Sequence, residues 1–181
     1  MRSSKPKALA AGPLFDYAVR ALSARALTQS ELRDRLLARA ENRADVPTTI
    51  ARLKQYGYLD DRRFAETYSR LRRENKGYGK FRVLRELRGR RVAPALAEKT
   101  VADAFRDADE TVLIEQFLRR KLRYSGAPPA LDDRRRLASL QSMLLRAGFS
   151  SGKIWTVLRQ LSARPEWIED LESAAEEEVS E

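Results

Sequence analysis

Hydrophobic positions along this chain recur with the 3.6-residue period of an amphipathic α-helix, and no segment shows a convincing two-residue strand alternation. The first clear example is the segment 14–27, in which Leu14, Ala18, Leu22 and Ala26 share one helical face. The sequence therefore predicts an all-α protein.

Continued along the chain, the same pattern predicts about nine helices. Gly57 should end the third helix, and the glycines around Tyr78 should separate the fourth from the fifth, because glycine accepts the backbone angles that terminate helices. The expected helices lie at 14–27, 30–40, 47–56 and 61–74, around Leu84 and Leu87, from Pro94 onward, and at 109–124, 133–147 and 151–162, with a flexible loop at 125–129.

Three helix starts share one design. Thr28 precedes Glu31 by three residues, a spacing typical of a capping box in which each side chain bonds the other residue's amide. Asp60 and Ser150 stand at equivalent starts, and in all three cases an apolar residue before the cap faces another four residues after it. These apolar pairs are Leu27 with Leu32, Leu59 with Phe64, and Phe149 with Ile154.

The pattern also predicts an internal repeat. The segment that begins Val92-Ala93-Pro94 resembles the one that begins Phe149-Ser150-Ser151, and Val46-Pro47 starts a looser third copy. We therefore expect three tandem three-helix repeats at 14–58, 59–106 and 107–163, forming an elongated, curved array. A basic flexible N-terminus at 1–13 and an acidic tail at 164–181 should flank them.

Charge is distributed unevenly along the chain. The net charge is +10, yet the last sixteen residues carry eight carboxylates and no basic residue, so the rest of the chain carries +18. A body this basic attracts the phosphates of nucleic acids. The alternative interpretation of such charge is a solvated, merely soluble helical surface.

The amino-acid composition excludes several kinds of catalytic and metal site. Histidine and cysteine are absent, which excludes Ser-His and Cys-His nucleophiles, disulfides and thiolate metal sites. Neither a P-loop nor a dinucleotide-binding glycine motif occurs. We expect no catalytic residue, no metal and no cofactor. The chain also lacks a membrane-length apolar run and a signal-peptide pattern, so we expect a cytoplasmic protein.

The candidate binding residues lie in two basic clusters. Between residues 52 and 91 there are fourteen basic and five acidic residues. Within this stretch a basic turn surrounds Tyr78, whose ring offers a stacking face to single strands; its cations are Arg72, Arg73, Lys76, Lys80, Arg82 and Arg85. The second cluster comprises Arg119, Arg120, Lys121 and Arg123, with further arginines at 134–136. The alternative is that Tyr78 packs internally and the arginines are solvated.

One segment resembles the signature of the RecX family. It consists of Gly57, Tyr58, Leu59, Asp60, Asp61, Arg62, Arg63, Phe64 and Ala65, followed at the family's spacing by Arg72, Gly79 and the pair Glu86-Leu87. The resemblance covers roughly residues 14–161. One departure is Arg91, between Arg90 and Val92, where the family has a glycine that accepts a positive φ.

The resemblance implies three tandem three-helix repeats and a non-enzymatic modulator, in the inhibitory direction, of RecA recombinase and of its coprotease activity. It also implies binding in the groove of the RecA–DNA filament. We expect a monomer, with single-stranded DNA and also double-stranded DNA as partners. The signature residues themselves have a structural interpretation. Asp60 caps a helix, Asp61 favours its dipole, and Phe64 and Ala65 enter the core.

Two other functions stay open. A free-standing helical DNA- or RNA-binding protein would show the same basic surface without a protein target. A nucleic-acid enzyme using carboxylates would need a convergent acidic cluster, and adjacent residues such as Asp60 and Asp61 diverge by about 100° on a helix.

Overall fold

The computed structural model describes residues 8–126, 131–164 and 166–180, with side chains as far as residue 173. Within these ranges every extended regular element is helical, which confirms the predicted all-α class. The α-helices are α1 Ala11–Ala24, α2 Gln29–Leu37, α3 Asp45–Gln55, α4 Asp61–Leu71, α5 Lys80–Gly89, α6 Pro94–Phe105, α7 Glu110–Leu122, α8 Arg134–Ala147, α9 Ser151–Leu161 and α10 Glu166–Ser180, and a π-helical turn covers Arg72–Lys76.

Two of the three predicted helix caps are confirmed. The Glu31 amide donates to Thr28 Oγ1 over 3.2 Å while the Thr28 amide donates to Glu31 Oε2 over 3.1 Å, which completes the capping box. Asp60 Oδ1 accepts from the amides of Arg62 and Arg63 at the start of α4. These bonds satisfy amides that have no partner inside the helix.

The third predicted cap was wrong in its chemistry. Ser150 precedes α9, but its hydroxyl donates to Glu110 Oε2 over 2.7 Å instead of accepting from the helix. The Ser150 amide also donates to the same carboxylate over 2.8 Å. A hydrogen bond to an ionised carboxylate is stronger than one between two neutral groups. The Ser150 hydroxyl therefore donates to Glu110 of α7, and this tertiary contact replaces the local cap.

Several predicted bounds also need correction. The first helix begins at Ala11, because the Leu9 amide and carbonyl bond the backbone of Arg39 and Glu41 and hold the chain at the helix start. The fourth α-helix ends at Leu71, since the chain changes to the π-helical turn.

The C-terminal segment contains a tenth helix, α10, where only an acidic tail was predicted. Ile168 is fully buried, and Trp167 and Leu171 pack against the same core, so apolar burial orders this acidic segment.

The chain divides into two compact units. Unit 1 consists of Met1–Tyr68 and Glu86–Thr100, and unit 2 of Ser69–Arg85 and Val101–Glu181, as far as each is described. Leu14, Leu32 and Leu53 lie at the centre of the unit 1 core. The unit 2 core is built from α7, α8 and α9 and includes Ile114 and Leu144. The division into repeats at 14–58, 59–106 and 107–163 stays a prediction, and residues 1–7 and 127–129 of the predicted flexible segments lie outside the described residues.

Arg91 has the positive backbone angle that a glycine would accept, with φ +58°. The amides of Arg91 and Val92 bond the carbonyls of Arg88 and Leu87, so the chain closes α5 in the glycine-type turn without the glycine. The Arg91 guanidinium pairs with Asp34, and both side chains are more than half exposed. An exposed pair contributes little, so it offsets only part of the backbone strain.

We expect Arg91→Gly to be about 1 kcal/mol more stable than Arg91→Ala, because both lose the ion pair but only glycine relieves the strain. Urea denaturation measures the difference. Arg88 is the matched control, since it also carries an exposed ion pair, to Glu98, but lies inside α5. There Arg88→Gly should be the less stable variant by about 1 kcal/mol. Equal stability of the two Arg91 variants would contradict the strain.

Candidate nucleic-acid interface

The basic turn begins where α4 changes to the π-helical turn Arg72–Lys76. Gly77 ends this turn with φ +62°, and its amide bonds the Arg73 carbonyl over 3.0 Å. The Tyr78 amide follows by bonding the Arg72 carbonyl over 3.2 Å. A π-helical turn is rare and lies often at functional sites, and here it sets the positions of the exposed cations that follow.

A backbone contact between two glycines holds the far end of the turn. The Gly79 amide donates to the Ala147 carbonyl over 2.9 Å, and the Phe81 amide donates to the Gly148 carbonyl over 3.1 Å. A Cβ atom on Gly79 would collide with the Gly148 carbonyl, and one on Gly148 would collide with the backbone of Arg82. The start of α5 therefore lies directly against the end of α8, inside unit 2.

The predicted cations of the turn divide by exposure. Lys76, Lys80 and Arg85 are exposed, whereas Arg72, Arg73 and Arg82 are half-buried. The Nε atom of Arg72 is withdrawn from solvent. An exposed cation reaches phosphate without first giving up an internal contact, so Lys76 and Lys80 are the better placed ligands.

Arg73 has an internal role that the sequence did not predict. Its guanidinium donates to the Ala104 carbonyl near the end of α6 and lies 6.0 Å from the centre of the Phe105 ring. A cation at a helix C-terminus is stabilised by the carbonyl groups there. We therefore no longer expect Arg73 to be a simple phosphate contact.

Tyr78 is half-buried, and one face of its ring is already occupied. The guanidinium carbon of Arg82 lies 3.8 Å from the ring centre, and the ring also packs against the unit 2 core. Arg82 and Arg85 both point towards the Arg146 carbonyl at the end of α8, at 3.4 and 3.5 Å. The stacking face that the sequence predicted for bases is thus shared with a neighbouring cation.

Arg120 connects the two basic clusters that the sequence separates by about forty residues. Its Nη1 donates to the Asn75 carbonyl over 3.4 Å, and its guanidinium lies against Gly77. The other cations of this second cluster, Arg119, Lys121 and Arg123, are exposed at the end of α7. The end of α7 and the basic turn therefore form one basic surface in unit 2, defined by Lys76, Lys80, Arg119, Arg120, Lys121 and Arg123.

The arginines at 134–136 belong to the start of α8, where Asp133 caps the helix by accepting from the Arg135 amide over 2.9 Å. Arg134 approaches Asp170 of α10 to 3.5 Å, and Arg159 of α9 approaches Glu172 of α10 to 3.1 Å. Carboxylates of α10 thus partly neutralise this region. It is a weaker candidate for phosphate than the basic surface.

The signature residues lie mostly in unit 1, where the ring of Phe64 packs against Arg90. The Arg90 guanidinium lies 4.5 Å from the centre of the Phe64 ring and 5.5 Å from that of Tyr68. Its Nη2 is 2.8 Å from Glu31 Oε2, and its carbonyl accepts from the Thr28 hydroxyl over 2.9 Å. The same residues that cap α2 therefore also bind the end of α5.

Burial by itself would raise the pKa of Glu31, but hydrogen bonds from the Arg90 side chain and the Thr28 amide, with the nearby charges of Arg90 and Arg25, outweigh it. The net effect holds the pKa of Glu31 below its ordinary value. The carboxylate stays ionised and keeps Arg90 paired at neutral pH.

The remaining signature side chains also have mainly structural contacts. Asp61 accepts from the Gln29 amide over 2.7 Å, and the Tyr68 hydroxyl donates to Glu86 over 2.9 Å. The buried members of the signature are Leu59, Ala65, Gly79 and Leu87. Phe64 was predicted to enter the core with Ala65, but it is half-buried because its ring lies against the Arg90 guanidinium. Gly57 ends α3 with φ +72°, as predicted. Tyr58 differs from the buried signature residues because it is 55% exposed.

Sequence reasoning missed Gly148. Its position after α8 indicates a helix end, but nothing in the sequence pairs it with Gly79, almost seventy residues earlier. Within the described residues no helix is long and apolar enough to cross a membrane, and no group of three or more acidic side chains could hold a metal ion.

Gly79→Ala should destabilise the protein by about 1–3 kcal/mol, because the new methyl group meets rigid backbone of Gly148 rather than a side chain that can move. Gly89→Ala, at the other end of α5, is the matched control. Its Cβ would meet nothing within 4 Å, so we expect a gain of about 0.4–1 kcal/mol. Urea denaturation of both variants tests this, and equal changes would disprove the glycine contact.

The chain is similar to known proteins over most of its length. A family model described as "RecX, second three-helix domain" matches residues 60–101, which lie inside the predicted second repeat. A regulatory protein RecX of Deinococcus radiodurans is 32% identical over 150 residues, or 82% of this chain and 68% of that protein. A regulatory protein RecX of Trichlorobacter lovleyi is 31% identical over 137 residues, or 76% of this chain and 88% of that protein.

Solved structures agree in fold. The crystal structure of RecX from Lactobacillus salivarius superimposes with a TM-score of 0.62 at 21% sequence identity, covering 83% of this chain and 96% of that one. The signature residues, the relatives and the shared helical fold lead to the same assignment: the chain belongs to the RecX family.

Proposed function

We propose that this protein modulates RecA recombinase, in the inhibitory direction, by binding the RecA–DNA filament. The observation that carries the proposal is the similarity to curated RecX regulatory proteins over more than three quarters of the chain. The protein acts by binding and catalyses no reaction, and it uses no metal or cofactor. It works as a monomer in the cytoplasm.

The basic surface of unit 2 is the proposed contact with the filament. Its exposed cations, foremost Lys76 and Lys80, bind DNA phosphates and release the counterions condensed on them. A protein that occupies few positions on a polymer can block its growth, so RecA-driven strand exchange, ATP hydrolysis and coprotease activity all fall.

A free-standing nucleic-acid-binding protein is the second candidate, and the same exposed cations favour it. Such a protein would bind naked DNA as well as filament and would leave RecA itself unaffected. The two functions therefore differ in what happens to RecA at low protein concentration.

We expect the protein to slow RecA-dependent ATP hydrolysis on single-stranded DNA at concentrations well below one molecule per RecA subunit. The measurement compares hydrolysis and strand exchange with and without the protein. Unchanged RecA activity at equimolar protein, together with tight binding of naked DNA, would reject the RecA function in favour of the free-standing binder.

The double variant Lys76→Gln/Lys80→Gln should weaken DNA binding and flatten its salt dependence. Each lost phosphate contact lowers the slope of log K against log salt by about 0.7 for single strands, so the expected change is about 1.4. Arg33→Gln/Arg43→Gln removes the same charge from exposed positions in unit 1 and serves as the control. Binding titrations at four or five salt concentrations give the slopes.

Equal slope changes in the two double variants would mean that only net charge matters. An unchanged slope in the Lys76/Lys80 variant would move the phosphate contacts away from the turn.

A further inference from the structure

Two exposed tyrosines and an exposed arginine lie around a half-buried phenylalanine in unit 1, where α1 meets the end of α3. This aromatic patch consists of Phe15, Arg52, Tyr56 and Tyr58. Tyr56 and Tyr58 are 58% and 55% exposed, the two highest values among the large hydrophobic side chains that the structure describes as exposed. Both rings stand on the same short turn, so they form a local surface rather than scattered residues.

The turn holds both tyrosines in place without needing their burial. The Gly57 amide bonds the Lys54 carbonyl over 3.0 Å, and the Tyr58 amide bonds the Leu53 carbonyl over 2.9 Å. The apolar contact that normally accompanies such a helix end is supplied by Leu59, which is only 3% exposed. Folding therefore does not explain a large aromatic ring at position 58.

The rings support one another through edge contacts. The ring centres of Phe15 and Tyr56 are 6.1 Å apart with planes at 80°, and those of Tyr56 and Tyr58 are 6.4 Å apart with planes at 65°. The Arg52 guanidinium lies 4.5 Å from the centre of the Phe15 ring. Edge contacts restrict the side chains while more than half of each tyrosine stays open, so a ligand that stacks loses little side-chain entropy.

Charge around the patch favours an anionic polymer. Arg52 and Lys54 are exposed on the last turns of α3, directly beside the tyrosines. Asp60 is the nearest carboxylate on the chain after them, and it already accepts two amides at the start of α4. Asp16 of α1 is exposed next to Phe15 and is the remaining acid on these two elements near the rings. Cations beside stacked aromatics are the combination that single-stranded nucleic acids bind.

We infer that the aromatic patch is a stacking site for unpaired bases, which binds single-stranded DNA through Tyr56 and Tyr58 while Arg52 and Lys54 contact the adjoining phosphates. The inference rests on the proposed function in that the protein works on DNA. It adds a second DNA site, in unit 1, which recognises bases, to the basic surface of unit 2, which recognises phosphates. Every base has a π face, so this site tolerates any sequence and requires only that the strand be unpaired.

The test uses the full chain, without RecA, and two fluorescently labelled probes. One is an oligothymidylate, and the other is an abasic strand of the same length, which keeps the phosphates and lacks the bases. Tyr56→Ala/Tyr58→Ala should bind oligothymidylate at least about fivefold more weakly per lost ring, as expected for a lost base stack. Its affinity for the abasic strand should stay within about twofold of the unchanged protein. Fluorescence anisotropy measures both affinities.

Two control variants separate stacking from folding and from general loss of apolar surface. Tyr56→Phe/Tyr58→Phe keeps the rings and should bind oligothymidylate as tightly as the unchanged protein. If the tyrosines instead bound DNA through their hydroxyl groups, this variant would bind more weakly. Val112→Ala removes apolar area that is 44% exposed in unit 2 and should change neither affinity. Circular dichroism checks that each variant keeps its helical content.

The inference is overturned if the alanine variant binds oligothymidylate normally, or if it loses abasic binding equally. If oligothymidylate binding is normal, a separate assay of RecA-dependent ATP hydrolysis in which the same variant no longer inhibits would identify the patch as a protein contact and would also overturn the inference. Because these titrations contain no RecA, they test the aromatic patch even if the protein has no effect on RecA activity.

Discussion

With 36 basic residues and no histidine, this chain must satisfy each cation that approaches the interior, because an uncompensated buried charge opposes folding by several kcal/mol. Arg90 meets that requirement with the Glu31 carboxylate, two aromatic rings and the Ala26 carbonyl. Arg73 meets it with a helix-end carbonyl. The cations of the basic surface of unit 2 are exposed, so water solvates their charges and folding does not require a buried partner for them.

The arrangement of that surface depends on two backbone features that carry no charge. The π-helical turn replaces the regular α-helical path directly after α4. The contact between Gly79 and Gly148 then brings the start of α5 against the end of α8. Arg120 then reaches the Asn75 carbonyl, which places α7 beside the turn. Exposed lysines on this framework are ordered at their backbone, so binding phosphate restricts mainly their side chains.

The two proposed DNA contacts differ in physical origin. Phosphate binding at the basic surface is electrostatic and weakens steeply with salt, whereas stacking at the aromatic patch depends on unpaired bases and is far less sensitive to ions. Together they would favour single strands over duplex.

Local features were readable from the sequence because they depend on neighbours in the chain. The 3.6-residue period predicted the helical class, the Thr28–Glu31 spacing predicted a capping box, and Gly57 predicted a helix end, and all three are confirmed. The caps and helix ends depend on residues within about one helical turn, where chain geometry alone sets the distances. The resemblance to the RecX family was readable for a different reason, since it rests on residue types in a fixed order from Gly57 to Leu87.

Contacts between distant segments were decided only by the tertiary structure. Ser150 looked like a cap but bonds Glu110, forty residues away, and the acidic C-terminal segment forms α10 because Ile168 finds an apolar core. Arg73 and Tyr78 have the right chemistry for DNA but are partly committed to Ala104 and Arg82. A residue's type shows which partners it accepts, and packing then determines which of those partners lies within reach.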